Sequence, residues 1–484
     1  MKLLFAASEL FPLIKTGGLA DVAHSLPNAL VGLDIDVRVV LPAYREVLRK
    51  INELRAAGWL TLANGREVRI LEGRHLEVDA PMWLIDIAEL FDREGSPYTD
   101  PLGGDWADNP LRFTLFCEAA ALLASDGLGL GWRADVVHAN DWQTGLLPAF
   151  LSLETRRPRT LFTVHNLAYD CQFDFGTFQY LRLPEHWWAI ECGEFYERFS
   201  MLKAGLMFSD QLSTVSPRYA QEIQTKEFGY GYADILAAHA ERLQGILNGI
   251  DDQTWNPETD PHLVAHYRVD GKIRPAKRAN RTALLQAMGA SDAALQRAGP
   301  LVGSVGRLAF QKGIDLLLEA IPQLLTGSDA QFVLIGSGDS KLEARLQQLA
   351  QDYPDHVFCH IGYSESLAHR LEAGCDIFAM PSRYEPCGLN QMYSLRYGTP
   401  PVVRETGGLA DTVVDTTPHS LTRGDANGFV FNEASADALC AALERAFEVH
   451  ARPKQWMKLI KTGMRQDFSW QHSAESYLHL YQQM

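Results

Sequence analysis

The segment Gly303-Ser-Val-Gly-Arg-Leu-Ala-Phe-Gln-Lys-Gly313 sets two cations, Arg307 and Lys312, between a strand-like run and a helical pattern of Ile314, Leu317, Leu318, Ile321 and Leu325. Cations on such a loop can hold a diphosphate leaving group as its charge develops. Losing one fixed donor of that kind typically costs ~10²–10³ in rate. Read alone, the pair fits solvated surface cations equally well. A carboxylate follows in Pro381-Ser-Arg-Tyr-Glu-Pro-Cys-Gly-Leu-Asn-Gln391, directly after the apolar run Ile377–Met380. There Glu385 can accept hydrogen bonds from sugar hydroxyls or stabilise positive charge at an anomeric carbon. Cys387 has no histidine beside it, so packing or lining a substrate site suits it better than nucleophilic attack.

One hexapeptide occurs twice, as Thr16-Gly-Gly-Leu-Ala-Asp21 and Thr406-Gly-Gly-Leu-Ala-Asp411. Paired glycines at a helix start leave room for a ligand to approach free N–H groups, and the helix dipole favours an anion there. Lys15 adds a mobile charge to the first copy. The second copy is the expected phosphate cradle, because the other donor-binding candidates share its half of the chain. Two similarly packed helix entries would read the same way. In the first half, His138-Ala-Asn-Asp-Trp142 and Thr163-Val-His-Asn-Leu167 each end a strand-like run. They put Asp141 and His165 where either a cap or a catalytic group belongs. Asn248, in Leu247-Asn-Gly249, marks a turn at a hinge. Tyr363, after Val357–Ile361, offers a ring that can stack on a nucleobase.

The elements that must position these residues are short apolar runs alternating with helical patterns. They include Lys2–Ala7, Val37–Leu41, Val136–Ala139, Thr160–Val164, Gln211–Val215, Leu301–Val305, Gln331–Ile335 and Ile377–Met380. Strand–loop–helix alternation predicts parallel α/β sheets, whose ligands sit beyond the carboxyl ends of the strands. The turn-rich stretch at 245–260 breaks the rhythm, and a fresh series begins at Leu301. The predicted fold is therefore two Rossmann-like α/β domains, 1–245 and 246–464, facing a central cleft. A terminal helix at about 465–484 is free to pack back on the first.

The bulk composition narrows the function. Lys and Arg number 44 against 60 Asp and Glu, a net charge of −16, which argues against nucleic-acid or anionic-membrane partners. Seven scattered cysteines without a CxxC pair fit reduced thiols in a cytoplasmic protein. Glu9 interrupts the apolar start, so the N-terminus reads as a buried strand and not a signal peptide. No run of 18 apolar residues predicts a membrane span.

Together these segments resemble the bacterial glycogen synthase and plant starch synthase family. The resemblance rests on Lys15-Thr-Gly-Gly-Leu-Ala-Asp-Val22, His138-Ala-Asn-Asp-Trp142, Phe162-Thr-Val-His-Asn-Leu-Ala168 and Leu247-Asn-Gly-Ile-Asp251. It extends through Gly306-Arg-Leu308 with Gln311-Lys-Gly313, Arg383-Tyr-Glu-Pro-Cys-Gly-Leu-Asn-Gln391 and Thr406-Gly-Gly-Leu-Ala-Asp-Thr412. It implies the GT-B architecture and transfer of glucose, with retention, from ADP-glucose to the non-reducing end of an α-1,4-glucan. By the same resemblance Arg307 and Lys312 bind phosphates, Glu385 faces the donor glucose, and Asp141 and His165 line the sugar site. Lys15 and loop 406–409 (Thr406, Gly407, Gly408, Leu409) hold donor groups, and Tyr363 stacks on the base. Gly17, Gly18, Asp21, Asn248, Cys387, Gly388 and Leu389 are expected among the substrate-binding positions. No metal or other cofactor is expected.

Three positions depart from the wider pattern. Asn140 stands where many bacterial members have His, and Asn390 where many have Thr. Tyr393 stands where related retaining transferases carry a second Glu, so the ribose contact of those cousins does not carry over. With no glycosidase-like pair of carboxylates, a same-face substitution is expected, the leaving phosphate helping to take the acceptor's proton.

Overall fold

Strands buried on both faces need apolar residues without polar alternation. Leu3, Leu4, Phe5 and Ala6 of β1 (Lys2–Ala6) are accordingly sealed from solvent. The computed structural model describes Met1 to Met484 and divides into two compact units. The first comprises Met1–Val215, Ala220–Gly249 and Trp470–Met484; the second comprises Ser216–Tyr219 and Ile250–Ser469.

The first unit follows β1 with β2 (Asp36–Pro42), β3 (Glu53–Thr61), β4 (Glu67–His75), β5 (Val78–Asp86), β6 (Val136–Asn140) and β7 (Arg159–Val164). A small antiparallel sheet of β8 (Gln172–Phe173), β9 (Glu194–Phe195) and β10 (Arg198–Ser200) precedes β11 (Gln211–Thr214) and β12 (Leu243–Gly245). The main sheet runs β12-β11-β7-β6-β1-β2-β5-β4-β3. It is parallel from β12 to β5, with β4 and β3 antiparallel at its edge. That edge departs from the purely parallel reading. β4 alternates exposed and buried residues, as a sheet with one wet face does. The Asn64-Gly65 pair between β3 and β4 is the turn signal that marks the hairpin.

The second unit is a six-stranded parallel sheet of β13 (Leu301–Val305), β14 (Gln331–Gly336), β15 (Val357–Ile361), β16 (Ile377–Met380), β17 (Pro401–Arg404) and β18 (Phe429–Phe431). Their order is β15-β14-β13-β16-β17-β18. Two apolar clusters cover its faces. One is built around Leu317, Ile321, Leu334 and Leu443, the other around Leu285, Val333, Phe378 and Leu409.

The chain leaves the first unit after Gly249, four residues beyond the predicted boundary, and returns at Trp470. Ile250 pairs with Ser469, and its N–H donates to Phe468 O at 2.8 Å, so the two crossings lie side by side. The terminal helix Trp470–Gln483 belongs to the first unit. Ser473 Oγ donates to Leu247 O at 2.6 Å, and Tyr481 Oη lies 2.8 Å from His138 Nδ1. No helix is long and apolar enough to cross a membrane.

In each sheet the winding direction reverses once, between β1 and β6 in the first unit and between β13 and β16 in the second. Loops part at such a switch point, which leaves a crevice at the carboxyl ends of the strands.

Candidate functional site

At the switch point of the first unit, β6 leads into Asp141 with φ 58° and ψ 179°, a conformation that residues other than glycine rarely adopt. Neighbouring bonds hold it there. Its N–H donates to Thr163 O at 2.9 Å, and its carboxylate accepts from His165 N at 2.7 Å. Burial pushes the Asp141 carboxyl up to about 7; backbone donors at His165 and Asn166 oppose the rise, and the charge of Glu9 adds to it.

His165 Nε2 lies 2.9 Å from Asn140 Oδ1, while Asn140 Nδ2 donates to Ala6 O at 3.0 Å. Because the amide nitrogen is committed to Ala6, the oxygen faces the ring and the His165 proton sits on Nε2. Burial pulls the imidazole down to about 3, so it stays neutral. Asn140, a departure in the sequence, thus fixes a tautomer.

The loop after β1 amends one sequence reading. The N–H groups of Thr16 and Gly17 are not free at the start of helix Gly18–Val31. Both donate to the buried carboxylate of Glu9, which also accepts from Thr16 Oγ1 and from Tyr98 Oη at 2.6 Å. Lys15 Nζ pairs with Asp21 at 2.7 Å. A Cβ placed on Gly17 or Gly18 would meet no atom within 4 Å, so packing does not require glycine at either position.

In the second unit, Lys312 Nζ lies 2.6 Å from Glu385 Oε2, and Ser382 Oγ donates to the same oxygen at 3.0 Å. Arg307 reaches Gln311 Oε1 at 3.4 Å and is exposed. A concavity at the switch point is lined by Ser304, Gly306, Arg307, Lys312, Ser382 and Asn390, among others. The two loops are tied directly. Arg383 N–H donates to Gln311 O, its guanidinium forms a bidentate pair with Asp315 at 2.7 Å, and it lies over the Phe310 ring. Gly313, at φ 64°, sits so close to Pro381 O that any Cβ would collide with it.

The second hexapeptide copy packs where the first is open. Cβ atoms on Gly407 and Gly408 would strike the carbonyl oxygens of Glu385 and Cys387, and Gly408 N–H donates to Glu385 O at 3.2 Å. Loop 406–409 therefore braces the Glu385 loop, and at least this amide is not free for a phosphate. The final Asp also differs in use, because Asp411 accepts from Arg218 N–H at 2.8 Å whereas Asp21 holds Lys15. Cys387 is buried. Gly388 is followed by Leu389, which leads into helix Asn390–Arg396. Tyr393, at the position of the second Glu of related transferases, stacks on Trp255, whose other face covers His369.

The structure thus brings Arg307, Lys312, Glu385, Cys387, Gly388, Leu389 and loop 406–409 together in the second unit. It gathers Lys15, Gly17, Gly18, Asp21, Asp141 and His165 around the first unit's switch point. Tyr363 shares the second unit's rim but follows β15, two strands from β13, and is 82% exposed. Asn248 is buried in the first unit, and its Oδ1 has no hydrogen-bond partner in the protein. An unsatisfied buried acceptor costs ~1–3 kcal/mol, which a ligand donor would relieve. Glu9, Tyr98, Arg383 and Asp315 were missed as site residues. The one available signal was a lone Glu inside an apolar N-terminal run. No group of three or more His, Cys, Asp and Glu side chains is arranged to hold a metal ion.

Comparison with known proteins gives concordant matches. The family described as the starch synthase catalytic domain matches residues 2–238, and glycosyl transferases group 1 matches residues 292–462. The glycogen synthase of Hydrogenovibrio crunogenus is 49% identical over 490 residues, and that of Thioalkalivibrio sulfidiphilus 51% over 494; both alignments span 100% of each chain. The catalytic domain of starch synthase IV from Arabidopsis thaliana, bound to ADP and acarbose, superposes with a TM-score of 0.87 at 32% identity. That match covers 100% of this chain and 99% of the other.

Proposed function

The chain belongs to the glycogen synthase and starch synthase family of retaining GT-B glycosyltransferases, and from that premise we propose that it transfers glucose from ADP-glucose to the non-reducing end of an α-1,4-glucan, releasing ADP. The observation that carries the assignment of roles is the Lys312–Glu385 pair beside Arg307 at the second unit's switch point. Two cations and a carboxylate on adjoining loops suit a diphosphate joined to a sugar.

On this reading the second unit binds the nucleotide sugar and the first binds the glucan. Arg307 and Lys312 neutralise the diphosphate as the bond to the anomeric carbon breaks. Glu385, fixed by Ser382 and Lys312, accepts from the donor glucose and stabilises positive charge at that carbon. The new bond to the acceptor oxygen forms on the face the phosphate leaves, and the acceptor proton passes to a phosphate oxygen. Neutral His165 can then contribute only hydrogen-bonding groups, such as its backbone carbonyl, and Asp141 lines the sugar site with it. Lys15 adds a positive charge for the substrate, and Asn248 Oδ1 takes a donor from it. The cations supply the charge stabilisation that a metal provides elsewhere, so no metal is required.

The test is incorporation of label from ADP-glucose or UDP-glucose into precipitated glycogen, with EDTA and without added metal. Incorporation from ADP-glucose supports the reading. Incorporation only from UDP-glucose overturns the donor, and dependence on an added metal overturns the electrostatic assignment. No incorporation from either donor by the folded protein overturns the reading as a whole.

A further inference from the structure

Glu9 is seven residues from Thr16 in sequence and 89 from Tyr98, yet its carboxylate binds both. The geometry divides the work between its two oxygens. Oε2 accepts the N–H groups of Thr16 and Gly17, and Oε1 accepts the hydroxyls of Thr16 and Tyr98. Tyr98 Oη also lies 2.7 Å from Ser8 Oγ, so the loop after β1 is stitched to a distant segment through one phenol. All four partners donate, which satisfies the acceptor capacity of an ionised carboxylate and leaves none of it over. The charge is 3% exposed and has no cationic side chain bonded to it; it is held by hydroxyls and amides alone. A buried charge is expensive unless its hydrogen bonds are complete. Packing does not explain why it is there, since the Gly17–Gly18 face it supports opens onto empty space.

We infer that Glu9 is a positioning residue for glucosyl transfer: it locks the Lys15–Gly18 loop and Tyr98 into one rigid wall of the first unit's site and acts on the substrate only through them. The inference rests on the transferase reading above and gives Glu9 no contact with the substrate. It follows that geometry, not charge, is what Glu9 supplies. Glutamine can reproduce that geometry. Its carbonyl oxygen accepts from Thr16 and Gly17 N–H, and its amide nitrogen donates to the Thr16 and Tyr98 hydroxyls, both of which can turn to accept. Alanine reproduces none of it.

The test compares the full-length chain with Glu9→Gln, Glu9→Ala and Thr16→Val, which cuts the same network from its other side. ADP-glucose and glycogen kinetics are read together with amide hydrogen exchange at Thr16 and Gly17. Glu9→Gln should keep kcat within ~3-fold and keep both amides protected. Glu9→Ala should lose at least ~10-fold in kcat, with the glycogen KM within ~2-fold, because a displaced wall misorients the substrate more than it weakens binding. Both amides should then exchange faster. If Glu9→Ala does not fold, Thr16→Val is read in its place, with a smaller loss of the same kind. Glu9→Gln as impaired as Glu9→Ala overturns the inference and makes the charge itself the active feature. Glu9→Ala or Thr16→Val with wild-type kcat overturns it too. The exchange readout does not depend on turnover. Unprotected amides in the parent chain refute the network itself, whereas protected amides in a chain that transfers no glucose refute the transferase reading instead.

Discussion

Replacing Lys312 with alanine separates catalytic electrostatics from structural support. In the folded chain its ammonium lies 2.6 Å from a Glu385 carboxylate that is 6% exposed. The substitution removes one charge-assisted hydrogen bond, and a bond of that kind contributes ~1.5–3 kcal/mol. Glu385 keeps Ser382 as a partner, so the loss of stability belongs at the lower end of that range. The catalytic loss is larger. A fixed donor to a departing oxyanion accounts for ~10²–10³ in kcat, or ~2.7–4 kcal/mol of barrier. The glycogen KM should stay near its parent value, because the acceptor does not meet this group. The double variant Lys312→Ala with Glu385→Gln isolates the structural effect, since the change at Glu385 by itself already lowers turnover. It removes the orphaned charge, so thermal stability should return toward the parent, while kcat stays low. Steady-state kinetics with labelled ADP-glucose and thermal unfolding are the assays. A single variant with parental kcat, or a double variant that regains turnover along with stability, would refute the assignment of Lys312 to the leaving phosphate.

Three further outcomes are expected. Asp141 titrates at about 7 in the folded chain against ~3.9 in an unfolded one, so the fold carries a penalty above pH ~7 that fades as pH falls toward ~4. Asp141→Asn should therefore unfold at a higher temperature than the parent at pH 8, by a margin that shrinks by pH 5, while turnover falls; a margin independent of pH would contradict the burial argument. Gly407→Ala should destabilise the chain severely, because its Cβ would strike Glu385 O at a positive φ, whereas Gly17→Ala should fold with parental stability and lose activity. Equal melting shifts for the two variants would refute that contrast. Tyr481→Phe removes the hydroxyl facing His138 and should cost ~0.5–1.5 kcal/mol in chemical denaturation with kcat nearly unchanged, since His138 keeps its bond to Thr163 Oγ1; an unchanged unfolding midpoint would contradict the Tyr481 bond.

Much of the fold is legible along the chain. Leu301–Val305 and Ile377–Met380 are strands over the very residues their apolar runs mark, and Arg307, Lys312 and Glu385 follow them on loops. A parallel strand buried on both faces is drawn mostly from apolar residues, so its apolar run and its boundaries nearly coincide. The β3–β4 hairpin escaped that logic because β3 is exposed or half-buried along most of its length and β4 alternates in a pattern weaker than an apolar run. The partners of Glu9, Asn140 and Arg383 were illegible for another reason. Tyr98, Ala6 and Asp315 lie far along the chain from the residues they bond, their adjacency depends on strand order, and strand order is not written in any local segment.

The repeated hexapeptide marks the division. Thr-Gly-Gly-Leu-Ala-Asp by itself determines a glycine-led helix entry with a buried leucine, and both copies form one. Only the tertiary structure decided that Gly407 and Gly408 are glycines because backbone presses against them, while Gly17 and Gly18 face open space beside a resident carboxylate. A local sequence fixes backbone preference and the polarity of a face; the atoms waiting opposite that face come from elsewhere in the chain, and they set what the same six residues can do.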